Sequence, residues 1–171
     1  MSSLVGVVAT ATWRVTTAMT ATIQRSGSCD VFASPQLVAL VEDACCRCVA
    51  KATMPHDTNA AIGSVECWDW TDAQGDRLST VGTAMTMKHV AATPVGMLVT
   101  ATATITHVKP NRSGDCLGSG AVFEFSAKVV DHIDESSSVR VDIGSATHTR
   151  VVVKKDRFLA AATAKLDKSN L

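Results

Sequence analysis

From residue 5 to residue 16, apolar and polar side chains alternate. Val5, Val7, Ala9, Ala11, Trp13 and Val15 share one face, and Thr10, Thr12, Arg14 and Thr16 share the other. A period of two predicts a half-buried strand. Residues 17–33 are rich in Ser and Thr and read as a loop. At Ser34-Pro35 the period lengthens to that of a helix, with serine suited to the N-cap and proline to the first helical position. The helical pattern runs to about Thr53. At ~100° per residue, Leu37, Val41, Cys45, Cys48 and Ala52 form its apolar stripe. Asp43 and Arg47 point the opposite way, which makes Asp43 a solvent residue. Glu42 falls on the flank beside Val38 and Val49, partly covered.

After the helix the period of two returns. Residues 62–70 and 77–90 read as extended segments around a turn at 72–76. Trp68 and Trp70 share a face, and Val81, Thr83, Met85, Met87 and His89 share another. In 95–108, Val95, Met97, Val99, Ala101, Ala103 and Ile105 face inward, while Thr100, Thr102, Thr104 and Thr106 face out. Two more strands follow, 120–131 with Phe123 and Phe125, and 138–153 with a bend near Gly144. This order predicts an α+β domain over residues 1–160, in which a curved antiparallel sheet wraps one long helix. Residues 161–171 read as a weakly ordered tail.

Composition narrows the function. The 171 residues are 46% hydrophobic with a formal net charge of zero and 4% aromatics. That balance offers no basic footprint for nucleic acid, few stacking platforms and no excess charge for a membrane surface. No apolar run approaches the ~20 residues that cross a bilayer. A secretory leader is not evident, and a cytoplasmic location is expected. Residues before Asp30 carry Arg14, Arg25 and many Ser and Thr but no acid, as mitochondrial leaders do, yet their alternation fits a first strand. Cysteines stand at 29, 45, 46, 48, 67 and 116. Cys45 and Cys48 form a C-x-x-C in mid-helix, where a redox motif would open a helix instead. They read as structural thiols, with no metal site implied.

His89 is the chief candidate for chemistry. It ends a strand ahead of a turn at Pro94 and Gly96, where an imidazole can reach a cleft and act as a base near neutral pH. Ser34, at a helix start, lies where backbone N–H groups favour negative charge. Eight residues of helix separate Ser34 from Glu42, so their Cα atoms stand ~12 Å apart. They therefore flank opposite ends of a reacting group, or act with partners from facing subunits. Arg150 and His148 share one face of the last strand. His56, His107 and His132 show no partners in the sequence.

Four segments resemble the hot-dog fold, and within it the fluoroacetyl-CoA thioesterase-like family. They are Val31 to Ala44 around the helix start, Val81-Gly82-Thr83, Met87 to Gly96, and Ile143 to Arg150. The resemblance spans residues 15–160, with an insertion at about 60–79 containing Trp68 and Trp70. It implies an acyl-CoA thioesterase in which Ser34, Glu42 and His89 are catalytic and Gly82 and Arg150 bind substrate. It implies no cofactor beyond the coenzyme A of the substrate itself, and a homodimer with sites between subunits. Ser34 stands where the family usually has threonine, and Ala146 where it usually has glycine. Two alternatives are a hot-dog protein that binds an acyl-CoA without hydrolysing it, and a structural subunit whose sheet serves only oligomerisation.

Overall fold

The computed structural model describes residues 4–53 and 68–168. Its elements are β1 (Val8–Arg14), a short 3-10 turn (Thr17–Met19), α1 (Ser34–Thr53), β2 (Trp70–Thr71), β3 (Arg77–His89), β4 (Leu98–Lys109), β5 (Val122–His132), β6 (Val141–Lys154) and α2 (Lys155–Lys168). His56, Cys67 and most of the predicted segment 62–70 lie outside the described residues. The strands form one antiparallel sheet in the order β1-β4-β5-β6-β3-β2. The helix and the strands expected within the described residues are present. The correction lies at the C-terminal end, where residues expected to be weakly ordered continue β6 into α2.

The inner face of the sheet explains how α1 fits. Ala11, Ala101, Ala103 and Ala127 are buried there, interleaved with Val99, Ile105, Phe123, Phe125 and Val129. Small side chains let the helix approach closely, so thiols fill the remaining space. The Cys48 thiol reaches the Ala103 carbonyl at 3.2 Å. Burial pushes all three helix thiols up, Cys48 to about 11 and Cys45 beyond it, and they pack as small apolar groups.

The sheet curls further round α1 than the helical stripe predicts. Leu40, Val41, Ala44, Cys45, Cys46, Cys48, Val49 and Ala50 are all buried, and so is Asp43. Asp43 is therefore not a solvent residue. It accepts the Trp13 indole N–H at 3.0 Å and pairs with Arg47 at 2.7 Å. A carboxylate can be covered here because β1 brings a donor to it.

Three bulges interrupt the strand pairing among the described residues, one of them in β4, where Thr106 is skipped in the pairing with β5. In β3 the register shifts between Gly82 and Ala84. Buried Leu78 and Thr80 precede the shift, and half-buried Met85, Met87 and His89 follow it. Thr83 is the extra residue, so Val81 does not share the face of Met85. In β6, Ile143 is skipped in the pairing with β5, which is the bend expected near Gly144. At Gly144 an added Cβ would lie 2.6 Å from the Lys88 carbonyl oxygen and 3.3 Å from Leu37 Cδ1. Gly144→Ala must push the end of β3 away from β6. It is expected to lower stability by about 1–3 kcal/mol, as strained core insertions do, measured as a fall in urea midpoint.

Candidate active site

The first turn of α1 decides what Ser34 is free to do. The N–H of Leu37 bonds the carbonyl of Ala33 at 3.1 Å, so Ala33 is the capping residue and Ser34 the first residue of the helix. This shifts the expected cap by one position. It leaves the Ser34 hydroxyl outside the backbone network, and its Oγ lies 2.9 Å from His89 Nδ1.

His89 reaches that hydroxyl because the turn after β3 is tied to the rest of the fold on three sides. The N–H of Val90 bonds Ile143 O at 2.8 Å, the N–H of Phe32 bonds Thr93 O at 2.9 Å, and the Thr93 hydroxyl donates to the buried Asp131 carboxylate at 2.8 Å. Phe32 meets the His89 ring edge-on at 6.4 Å between centroids. Ser34, His89, Phe32, Val31, Val90 and Ala91 border a hollow of about 310 Å³. Burial pushes His89 below the ordinary imidazole value, partly offset by the Ala91 backbone, so the ring is neutral near pH 7. Its Nε2 is buried and has no hydrogen-bond partner among the described residues. A larger hollow of about 640 Å³ lies on the outer face of the sheet, against Thr12, Thr100, Thr102 and Lys128, and borders none of the predicted site residues.

Glu42 is not in the Ser34–His89 hollow. It belongs to a second cluster two helical turns on. Its Oε1 lies 3.4 Å from Arg150 Nη1 and 3.6 Å from His148 Nε2. Arg150 is buried and also donates to Thr80, through Nε to Oγ1 at 3.0 Å and through Nη2 to the carbonyl at 2.8 Å. Counting the 3.2 Å contact of Nη1 with His148 Nε2, four of its five N–H groups are engaged by protein groups. Gly82 belongs to this cluster: an added Cβ would stand 2.7 Å from Glu42 Oε1 and 2.9 Å from His148 Cε1, so any larger residue must displace the carboxylate and crowd the imidazole. The structure therefore joins Ser34 to His89, and Glu42 to Gly82 and Arg150, as two separate groups within one chain. Two residues have a place here that sequence reasoning did not assign, Asp131 beneath the turn and His148 beside Arg150. For His148 the one available signal was the face it shares with Arg150.

Half-buried His89 and buried His148 couple protonation to folding. His148 is also pushed down, by burial first and by the Arg150 charge after it. A histidine held below its unfolded value favours folding fully above that value, ~6.5, and withdraws that support as pH falls toward the folded value, because the unfolded chain takes up protons that the folded chain refuses. Stability from urea titrations should therefore be flat between about pH 7 and 8 and decline below about 6.5, and that decline should be shallower in His89→Gln and His148→Gln; above about pH 8 the raised thiols of α1 bring a separate decline.

A family profile described as FlK, fluoroacetyl-CoA-specific thioesterase, matches residues 71–115, a stretch that includes Gly82 and His89 but not Ser34, Glu42 or Arg150. The fluoroacetyl-CoA thioesterase of Streptantibioticus cattleyicolor is 29% identical over 136 residues, covering 80% of this chain and 70% of that protein. Among solved structures, a threonine-to-serine variant of a fluoroacetyl-CoA thioesterase in complex with acetyl-CoA superposes with a TM-score of 0.64 at 26% identity, over 94% of this chain and 97% of the other. A thioesterase superfamily member from Thermus thermophilus superposes with a TM-score of 0.67 at 16% identity, over 99% and 98% of the two chains, a likeness of fold. The chain has the hot-dog fold and is a relative of the fluoroacetyl-CoA thioesterases.

Proposed function

We propose that this protein is an acyl-CoA thioesterase, with Ser34 and His89 of one subunit and Glu42 of a second forming each site. The observation that carries the reading is the 2.9 Å contact between the Ser34 hydroxyl and a neutral, half-buried imidazole at the edge of a hollow. A hydroxyl bonded to an imidazole base is the arrangement that activates an oxygen nucleophile. His89 takes the Ser34 proton as Oγ attacks the thioester carbonyl. The C–S bond breaks and the proton passes to the departing CoA sulfur. Water then cleaves the acyl-serine, giving the carboxylic acid. The nearby start of α1 favours the developing negative charge. The residues supply nucleophile and base themselves, so the reading requires no cofactor beyond the coenzyme A of the substrate.

The second subunit enters through an open strand edge. β6 covers one edge of β3, and among the described residues only Trp70 and Thr71 pair along the other. Antiparallel pairing of that edge with a second copy, with the two-fold axis at Thr86, keeps the faces of both strands matched. It sets His89 opposite Thr83 of the partner subunit, next to Gly82 of the partner subunit. Paired residues in such a ladder have Cα atoms ~4.5–5.5 Å apart. The Glu42 carboxylate of that second copy then faces His89 Nε2, the ring atom left without a partner. A carboxylate there would orient the imidazole and stabilise its charged form. Like the dimer, the cytoplasmic location belongs to this proposal; buried, unpaired thiols on α1 suit a reducing compartment.

Release of free CoA from acetyl-CoA tests the reaction. His89→Ala and Ser34→Ala should each lower kcat/KM by about 10²–10⁴, the usual worth of a general base or nucleophile. Wild-type protein that binds acyl-CoA without turnover would instead support the binding-module alternative. Mixing tests the shared site. Equal amounts of His89→Ala and Glu42→Gln subunits, unfolded and refolded together, should recover about a quarter of wild-type activity, because half the dimers are mixed and each mixed dimer holds one intact site. No recovery would place all three residues in a single chain.

A further inference from the structure

His148 has no role in the reading above, yet its surroundings specify one. It lies on β6, only 4% exposed, where it faces Glu42 of α1 and the bulged segment of β3. Its Nδ1 is 2.8 Å from the carbonyl oxygen of Ala84, the first residue after the bulge. A carbonyl can only accept, so Nδ1 carries the proton and the neutral ring has its lone pair on Nε2. That lone pair faces Arg150 Nη1 at 3.2 Å. The same nitrogen reaches Glu42 Oε1 at 3.4 Å. Nη1 has two hydrogens, and the geometry gives one to the imidazole and one to the carboxylate. Thr80 holds the other side of the guanidinium through Nε and Nη2.

This arrangement is unlike the one an arginine and a carboxylate usually adopt. Left to themselves they form a fork of two short parallel bonds that engages both carboxylate oxygens. Here the guanidinium meets Glu42 through one nitrogen and one long contact, and the Glu42 side chain remains 41% exposed. We propose that His148 is a positioning residue: its Nε2 lone pair diverts one Arg150 N–H, so that Glu42 is anchored by a single contact and keeps an oxygen free for His89 of the facing subunit. The proposal rests on the assignment of Glu42 to a thioesterase site. Protonated His148 could not serve, since it would present a donor to Arg150 and a second cation to the same carboxylate.

The experiment has one arm that needs no turnover. Long-range ¹⁵N–¹H correlation spectra of the wild-type protein near pH 7.5, with the ring assigned by its loss in His148→Gln, should show Nδ1 protonated and Nε2 bare. The opposite tautomer, or an imidazolium, overturns the proposal. In the same spectra the Arg150 Nε–H signal, held by Thr80, should move in His148→Leu and stay in place in His148→Gln, whose side-chain oxygen restores an acceptor. Equal shifts in both variants overturn it as well. The second arm is kinetic. With acetyl-CoA, His148→Leu should lower kcat about tenfold to a hundredfold with KM nearly unchanged, the size of effect that follows misplacement of a reacting group, and His148→Gln should recover most of it. A merely structural role predicts equal losses in the two variants that follow their loss of thermal stability, and that result would overturn the proposal. Absence of turnover in the wild type, with the expected spectra, would count against the thioesterase reading alone.

Discussion

The enclosure of α1 by the sheet is the constraint on which the other features depend. A helix covered on nearly every side has little room, and the sheet meets it with alanines while the helix answers with alanine and cysteine. The same enclosure covers Asp43, which is tolerable because Trp13 and Arg47 supply donors. It also sets where α1 begins. Ala33 is fully buried and caps the helix, which holds Ser34 at the rim with its hydroxyl turned to His89.

Two rigid elements keep the chemical groups apart within one chain. Along α1, Ser34 and Glu42 are separated by the rise of two turns. Along β3, His89 and Gly82 are separated by seven residues of strand, ~20 Å or more at the usual rise. Neither can bend to close such a gap. An antiparallel two-fold pairing of β3 exchanges its two ends, so the separation that divides the groups in one chain would join them across two. The unpartnered Nε2 of His89 and the half-exposed carboxylate of Glu42 are the two unfinished contacts such a pairing would complete.

Much of the fold was legible in the chain because it is set by local periodicity. The helix from Ser34 to Thr53 and the strands from 77 to 154 follow from where period two gives way to a period near four and returns. The Ser34–His89 meeting was anticipated by resemblance, not by spacing, since 55 residues separate them. Three features were not legible. A wheel drawn for an isolated helix assigns Asp43 to solvent because it assumes one buried face, whereas a curled sheet buries several. The Thr83 bulge breaks no hydrophobic pattern strongly enough to be seen, yet it resets which side chains of β3 face inward. His148 looked like any polar residue on a strand, because its importance lies in partners from α1, β3 and its own strand that meet only on folding.

The sequence by itself determined the elements, their order, the apolar faces and the residue types available for chemistry, because each depends on neighbours within a few positions. Tertiary structure alone decided which of those residues touch. It freed the Ser34 hydroxyl from capping, set His148 between Ala84 and Arg150, and left Glu42 away from the base, since such contacts depend on sheet curvature and strand register. Those are long-range quantities, fixed by how the strands close around α1.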